Sequence, residues 1–137
     1  NIVVIKEANG NISKIVETMA LVGDKLDLYS GNDDQIVPLM SMGGKGVISV
    51  LSNIMPKETV ELCQKYLAGD VKEAAALQCK YHSLISALFC EVNPIPVKAA
   101  AAALGFCENY LRLPLTTIED FHYQKLLEEM RKVGLDV

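Results

Sequence analysis

The sequence lacks an excess of positive charge, because 13 Lys and Arg are set against 17 Asp and Glu and the net charge is −4. Domains that bind nucleic acid carry clustered positive charge, so this balance predicts no nucleic-acid partner. Long apolar runs are also missing. Among the longest uncharged stretches are the 11 residues 46–56 and the 10 residues 35–44. A bilayer span needs roughly 18 to 20 apolar residues, so we expect no membrane partner.

Metal-binding and secretion signals are absent as well. No cysteine belongs to a CxxC pair, and neither His82 nor His122 has a second ligand at metal spacing. We therefore expect no metal site. The histidines are expected at helix surfaces or core edges, and the cysteines are expected to be small buried thiols. The expected location is the reducing cytoplasm. The N-terminus shows no secretory signal. It starts with Asn instead of Met, and we expect this chain to be part of a longer polypeptide.

What is present is a repeated alternation of short β-branched runs and amphipathic segments, in a chain of 137 residues that is 50% apolar. The runs begin near residues 2, 25 and 46, a period of about 22 residues. Repeated βα units predict a parallel sheet with helices outside it, in a barrel or a doubly wound sheet. The expected strands are 2–5, 26–29 and 46–50, and the expected helices are 12–22, 36–40 and 56–67.

After Gly69 the strand-like runs stop. Asp70 followed by Glu73 indicates the start of a long helix that reaches about Phe89. The rest of the chain predicts a rigid turn at 93–96, an alanine-rich helix at 97–104 and a last helix at 117–132. The chain therefore divides into a βα part, residues 1–69, and a helical part, residues 70–137.

Lys6 is the principal candidate for chemistry. In parallel α/β folds the functional groups gather at the carboxyl ends of the strands, and Lys6 directly follows an apolar run. It shares a face of the strand with Ile2 and Val4. A lysine desolvated there can attack a carbonyl and form a Schiff base, whereas a surface lysine would simply extend into water. Residues 43–46 lack the spacing and the Ser or Thr of a phosphate loop, so that function is rejected.

Five segments together resemble the pyruvate-dependent class I aldolase family, in its dihydrodipicolinate synthase branch. The segment IKEANG around Lys6 is similar to the family's Schiff-base segment. Four further segments occur in the family's order and with similar spacing: YSGND at 29–33, GGKGVISV at 43–50, NPIPVK at 93–98 and RLPL at 112–115. The resemblance covers nearly the whole chain.

The resemblance implies an α/β fold, in which residues 1–69 are the last three βα units, strands 6–8, of a (β/α)₈ barrel. Residues 70–137 are then the C-terminal helical domain. The implied reaction condenses pyruvate with L-aspartate 4-semialdehyde and gives 4-hydroxy-tetrahydrodipicolinate, in the diaminopimelate route to lysine. Lys6 is implied to form the imine, Ile48 to line the pyruvate pocket and Gly31 to lie where the backbone approaches the second substrate. No cofactor is implied, and the family's usual state is a homotetramer, a dimer of dimers.

Two departures and two alternatives accompany this interpretation. Val4 stands where the family commonly has a small residue, and the family's proton-relay and carboxylate-binding residues belong to a barrel half that this sequence does not include. One alternative is a sister enzyme, such as N-acetylneuraminate lyase or a keto-deoxy-sugar aldolase. The other is a non-catalytic half-barrel whose open sheet edge pairs with another chain.

Overall fold

Three βα units followed by four further helices make up the chain. The computed structural model describes all of residues 1–137. The βα part contains β1 Val4–Glu7, α1 Ile12–Val22, β2 Asp27–Ser30, α2 Ile36–Ser41, β3 Gly46–Val47 and α3 Pro56–Leu67. Two 3₁₀ turns, Asp33–Gln35 and Leu51–Asn53, follow β2 and β3. The helical part contains α4 Val71–Lys80, α5 His82–Leu88, α6 Ile95–Ala103 and α7 Asp120–Lys132. None of these helices is both long and apolar enough to span a bilayer.

The sheet has the order β1-β2-β3, and both strand pairs are parallel. Lys6 pairs in register with Tyr29, and Tyr29 pairs with Gly46. The predicted parallel βα arrangement is therefore confirmed. Since the register runs straight across the three strands, their carboxyl ends lie at one edge of the sheet.

All three strands differ from the prediction, and β2, Asp27–Ser30, lies one residue later than expected. β1 begins two residues late, at Val4, and the apolar run is not buried on both faces, because Ile2 is 77% exposed and Val3 is 65% exposed. β1 has a neighbour on one side only, so nothing in this chain covers that run. β3 ends at Val47 instead of residue 50, because the backbone turns into the 3₁₀ helix at Leu51.

The predicted ends of α1 and α3 and the predicted start of α4 agree with the structure. The side chain of Asn11 accepts hydrogen bonds from Ser13 N and Lys14 N at the start of α1, which ends before Gly23. α3 runs from Pro56 to Leu67 as predicted. Asp70 accepts from Glu73 N at the start of α4. Each cap satisfies amide groups that the first turn leaves without a partner.

The helical part departs from the prediction in three places. The single helix expected over 70–89 is two helices, α4 and α5, which meet at the buried Tyr81. α6 begins at Ile95, inside the predicted turn. α7 begins at Asp120 instead of Thr117. The expectation of buried thiols is wrong for Cys79 and Cys107, which are exposed in this chain, and Cys63 and Cys90 are only partly buried.

The largest core cluster joins the segment after β3 to the helical part. It contains 16 buried residues, including Leu51, Ile54 and Met55 before α3 and Leu84, Leu88 and Leu126 from the later helices. Two smaller clusters of three residues lie beneath the βα units. Because apolar burial is the main force that holds elements together, the helical part is attached at the exit of β3, beside the carboxyl edge of the sheet.

Candidate functional site

The three residues singled out from the sequence lie at the carboxyl edge of the sheet. Gly31 N donates to Glu7 O at 2.6 Å, and Ile48 N donates to Ser30 O at 2.8 Å. These bonds extend the parallel ladder by one residue on β2 and on β3. Lys6 and Gly31 are brought together directly, while Ile48 is on the far side of β2 from Lys6.

Lys6 is exposed at the end of β1, and no carboxylate forms an ion pair with it. Val4 and Lys6 are exposed, whereas Ile5 and Glu7 are half-buried, so the predicted two-residue alternation is present. The predicted desolvation of Lys6 is not seen in this chain, because three strands leave the face that carries it open to solvent. The ammonium group is therefore accessible to a ligand.

Gly31 is crowded by the neighbouring strand. A Cβ atom at this position would lie 2.6 Å from Ala8 Cβ, 2.7 Å from Lys6 Cε and 3.3 Å from Glu7 O. Any side chain here would displace either the backbone of β1 or the lysine. Glycine is thus required by close approach, and its α-carbon forms one wall of the space around Lys6.

Ile48 is 49% exposed, although it follows directly from a strand of the sheet. Its backbone is fixed by the bond to Ser30 O. An apolar side chain that is held rigidly and remains half exposed is suited to line a binding pocket. The structure gives its place at the edge of the sheet, and its role in pyruvate binding stays a prediction.

Asp33 is a residue whose importance the sequence did not indicate. Its side chain is fully buried, and Oδ2 accepts hydrogen bonds from Val50 N at 2.9 Å and Leu51 N at 3.0 Å. Oδ1 is also buried and has no hydrogen-bond partner. Asp33 falls in the family-like segment 29–33, but nothing local to it indicates this role, because both hydrogen-bond partners lie 17 or 18 residues later.

A cleft of about 450 Å³ opens beside this turn. It is lined by Gly10 and by residues 32–35 on the side of the sheet, and by Ile85, Ser86 and Phe89 on the side of α5. Its volume is within the range of small-molecule sites. The cleft therefore adjoins the carboxyl edge and lies between the βα part and the helical part.

A second polar cluster lies in the helical part. Glu91 Oε1 accepts from Glu119 N at 3.0 Å and lies 2.8 Å from His122 Nδ1. The hydrogen bond from Glu119 N, together with His122, lowers the pKa of the Glu91 carboxyl. Ligand atoms of Glu91, Glu119 and His122 lie within 4.8 Å of one another, but these hydrogen bonds account for the cluster, and we assign it to capping of α7. His122 is half-buried and His82 is exposed, as expected for helix-surface or core-edge positions.

Residues 1–133 match the model of the dihydrodipicolinate synthetase family. The chain belongs to this family. It is 52% identical over 135 residues to the 4-hydroxy-tetrahydrodipicolinate synthase of Alkaliphilus oremlandii, and 53% identical to that of Lachnoclostridium phytofermentans. Each match covers 98% of this chain, and 47% and 46% of the respective relative. The chain thus spans about half the length of the curated relatives it matches.

Solved structures give the same result. The crystal structure of dihydrodipicolinate synthase from Thermotoga maritima matches with a TM-score of 0.95 at 43% identity. The enzyme from Aquifex aeolicus matches with a TM-score of 0.95 at 42% identity. Each match covers 98% of this chain and 46% of the solved chain. The resemblance inferred from five segments is confirmed at the level of the family.

Proposed function

We propose that this chain is the part of a dihydrodipicolinate synthase that carries the Schiff-base lysine. The activity is the condensation of pyruvate with L-aspartate 4-semialdehyde, which gives 4-hydroxy-tetrahydrodipicolinate. The observation that carries the proposal is the placement of Lys6 at the carboxyl edge of the sheet, against Gly31. The similarity to curated relatives named for this synthase supports it.

We infer that residues 1–69 supply the last three βα units of a (β/α)₈ barrel and that residues 70–137 form its helical domain. Three parallel strands in order, with helices only after α3, support this division. The exposed apolar residues at the start of β1 support a further strand beside it. A barrel of this type needs eight strands, so the upstream strands come from the remaining half of a complete enzyme.

In the reaction the Lys6 amine attacks the keto carbon of pyruvate, and water leaves as the C=N bond forms. The protonated imine nitrogen then accepts the electron pair released when the pyruvate methyl group loses a proton. The resulting enamine carbon bonds to the aldehyde carbon of the semialdehyde, whose oxygen takes up a proton and becomes the 4-hydroxyl group. The amino group of the semialdehyde then adds to the imine carbon and the Lys6 amine leaves, which closes the ring and frees the lysine. Ile48 lines the pyruvate pocket and Gly31 leaves backbone exposed near the second substrate. None of these steps draws on a metal or an organic cofactor.

The experiment requires a complete enzyme, defined as this chain together with the barrel half it does not include. It is obtained as the intact polypeptide, or as a chimera in which these residues replace the matched segment of the Alkaliphilus oremlandii relative. Turnover is measured with pyruvate and either aspartate semialdehyde or sugar aldehydes, in the wild type and in Lys6→Arg. We expect turnover with the semialdehyde only, and none in Lys6→Arg. Preference for a sugar aldehyde would assign the chain to a sister aldolase instead.

The expected cytoplasmic location and homotetramer belong to the same proposal. Gel filtration with light scattering on the complete enzyme measures the assembly directly. A mass of four subunits supports the tetramer, and a monomer or dimer contradicts it.

A further inference from the structure

The carboxylate of Asp33 caps the backbone where β3 ends. Val50 N and Leu51 N have no strand partner after the short β3, and both donate to Asp33 Oδ2. Leu51 is completely buried, so its amide is shielded from water. Hydrogen bonds to an ionised acceptor are about twice as strong as neutral ones, and a buried amide without a partner is costly. Asp33 therefore fixes the path of the chain immediately after β3.

The other end of the same segment is held by β2. Ile48 N donates to Ser30 O at 2.8 Å, and Ser30 lies three residues before Asp33 in the chain. The four residues 48–51 are thus fixed at both ends by β2 and the turn that follows it. Ser49 adds an internal bond, because its hydroxyl accepts from Ser52 N at 2.8 Å. Ile48 has little freedom to move while these bonds persist.

The turn that carries Asp33 is itself held in place. Gln78 of α4 donates through Nε2 to Asp33 O at 2.7 Å and accepts through Oε1 from Val37 N at 3.2 Å. The Ser30 hydroxyl donates to Asn32 O at 2.8 Å and accepts from Asn32 N at 3.1 Å. The same turn contains Gly31, which contacts Lys6. One rigid turn therefore sets both the space around Lys6 and the position of Ile48.

We propose that Asp33 is a positioning residue for pyruvate, which acts by holding the backbone of residues 48–51 so that Ile48 stays in place at the carboxyl edge that also carries Gly31 and Lys6. The inference rests on the proposed function and adds a residue to that site. Asp33 does not itself contact the reacting atoms. Its Oδ1 makes no hydrogen bond to the protein, so the two hydrogen bonds at Oδ2 are the side-chain contacts through which Asp33 acts.

The test compares Asp33→Ala and Asp33→Asn in the complete enzyme. Asp33→Ala removes both hydrogen bonds, whereas the amide oxygen of Asp33→Asn can still accept them without the charge. Asp24→Ala is the matched control, because Asp24 is an exposed aspartate at the opposite edge of the sheet. The readouts are the KM for pyruvate and the pyruvate concentration that half-saturates borohydride trapping of the imine in the absence of aldehyde.

We expect Asp33→Ala to raise both quantities by about tenfold or more, which corresponds to the loss of charged hydrogen bonds. Asp33→Asn should give a smaller increase, and Asp24→Ala should match the wild type. Folded Asp33→Ala with unchanged pyruvate saturation would overturn the proposal. If Asp33→Ala does not fold, Asp33→Asn decides, and unchanged saturation there contradicts it. Failure of the wild type to form any imine would instead refute the proposed function.

Discussion

The α-carbon of Gly31 lies so close to Lys6 that a methyl group added to it would be 2.7 Å from the lysine Cε. This contact joins the ends of β1 and β2 at the point where the Schiff-base lysine is proposed to act. The turn after β2 therefore limits where the amine can go. The first prediction follows from this crowding.

Gly31→Ala should slow imine formation at Lys6. The added methyl group also meets Ala8 Cβ at 2.6 Å, and that atom is fixed to the backbone, so the backbone at Ala8 and the end of the lysine side chain must both shift. Overpacking of this kind costs about 1–3 kcal/mol of stability. The rate of pyruvate trapping by borohydride in the complete enzyme, together with thermal unfolding, measures both effects.

Gly23→Ala is the control for Gly31→Ala, because a Cβ at Gly23 would meet Met19 O at 2.6 Å, far from Lys6. It should lower the free energy of unfolding to a similar degree and leave the trapping rate at the wild-type value. Equal trapping rates in Gly31→Ala and Gly23→Ala would show that the substitution at Gly31 affects only the stability of the fold.

Ile48→Phe should raise the KM for pyruvate and have little effect on the free energy of unfolding. Ile48 is half exposed, so a larger ring would extend from the edge of the sheet into the proposed pyruvate pocket instead of the core, where overpacking costs about 1–3 kcal/mol. Val60→Phe, at an exposed position of α3, is the matched control. If folded Ile48→Phe keeps the wild-type KM, Ile48 does not line the pocket.

Much of the βα part was predictable, because its signals are local. Asn11 and Gly23 mark the two ends of α1, and Pro56 marks the start of α3. The apolar run 2–5 also placed Lys6 near a strand end, and Lys6 lies within β1, Val4–Glu7. Capping residues and apolar runs act within a few neighbours in the chain, so the sequence displays them directly.

The features that were missed depend on distant partners. α7 begins at Asp120 because the carboxylate of Glu91, 28 residues earlier, accepts the Glu119 amide and caps the helix. Thr117 looked like a better cap locally. The role of Asp33 depends likewise on amides 17 and 18 residues away. The break at Tyr81 contains no Gly or Pro, and burial of Tyr81 accompanies the change of direction.

The isolated 137-residue chain should not catalyse the reaction. Ile2, Val3 and Ile48 are exposed, and each such side chain forfeits roughly 1.5–3 kcal/mol when it is not buried. We expect the chain to self-associate, or to bind a separately produced upstream half and then gain activity. Analytical ultracentrifugation and turnover assays measure both. A monomeric, active 137-residue chain would refute this prediction.

The contribution of Glu91 to the stability of the fold should be lost as the pH becomes acidic. Its folded-state pKa lies below the ordinary 4.5, chiefly because of the hydrogen bond from Glu119 N. A depressed pKa contributes stability above the unfolded value and loses it as the pH falls through the folded value. Glu91→Gln should therefore lower the Tm at pH 6, and the difference from wild type should shrink below pH 4.5. A constant difference between pH 6 and pH 3 would contradict this assignment.

The most direct test of the central claim is to identify the lysine that captures pyruvate. The complete enzyme is incubated with pyruvate and reduced with borohydride, and its peptides are mapped by mass spectrometry. We predict a three-carbon adduct on Lys6 and none in Lys6→Arg. An adduct on Lys25, Lys45 or Lys98, with Lys6 unmodified, would contradict it.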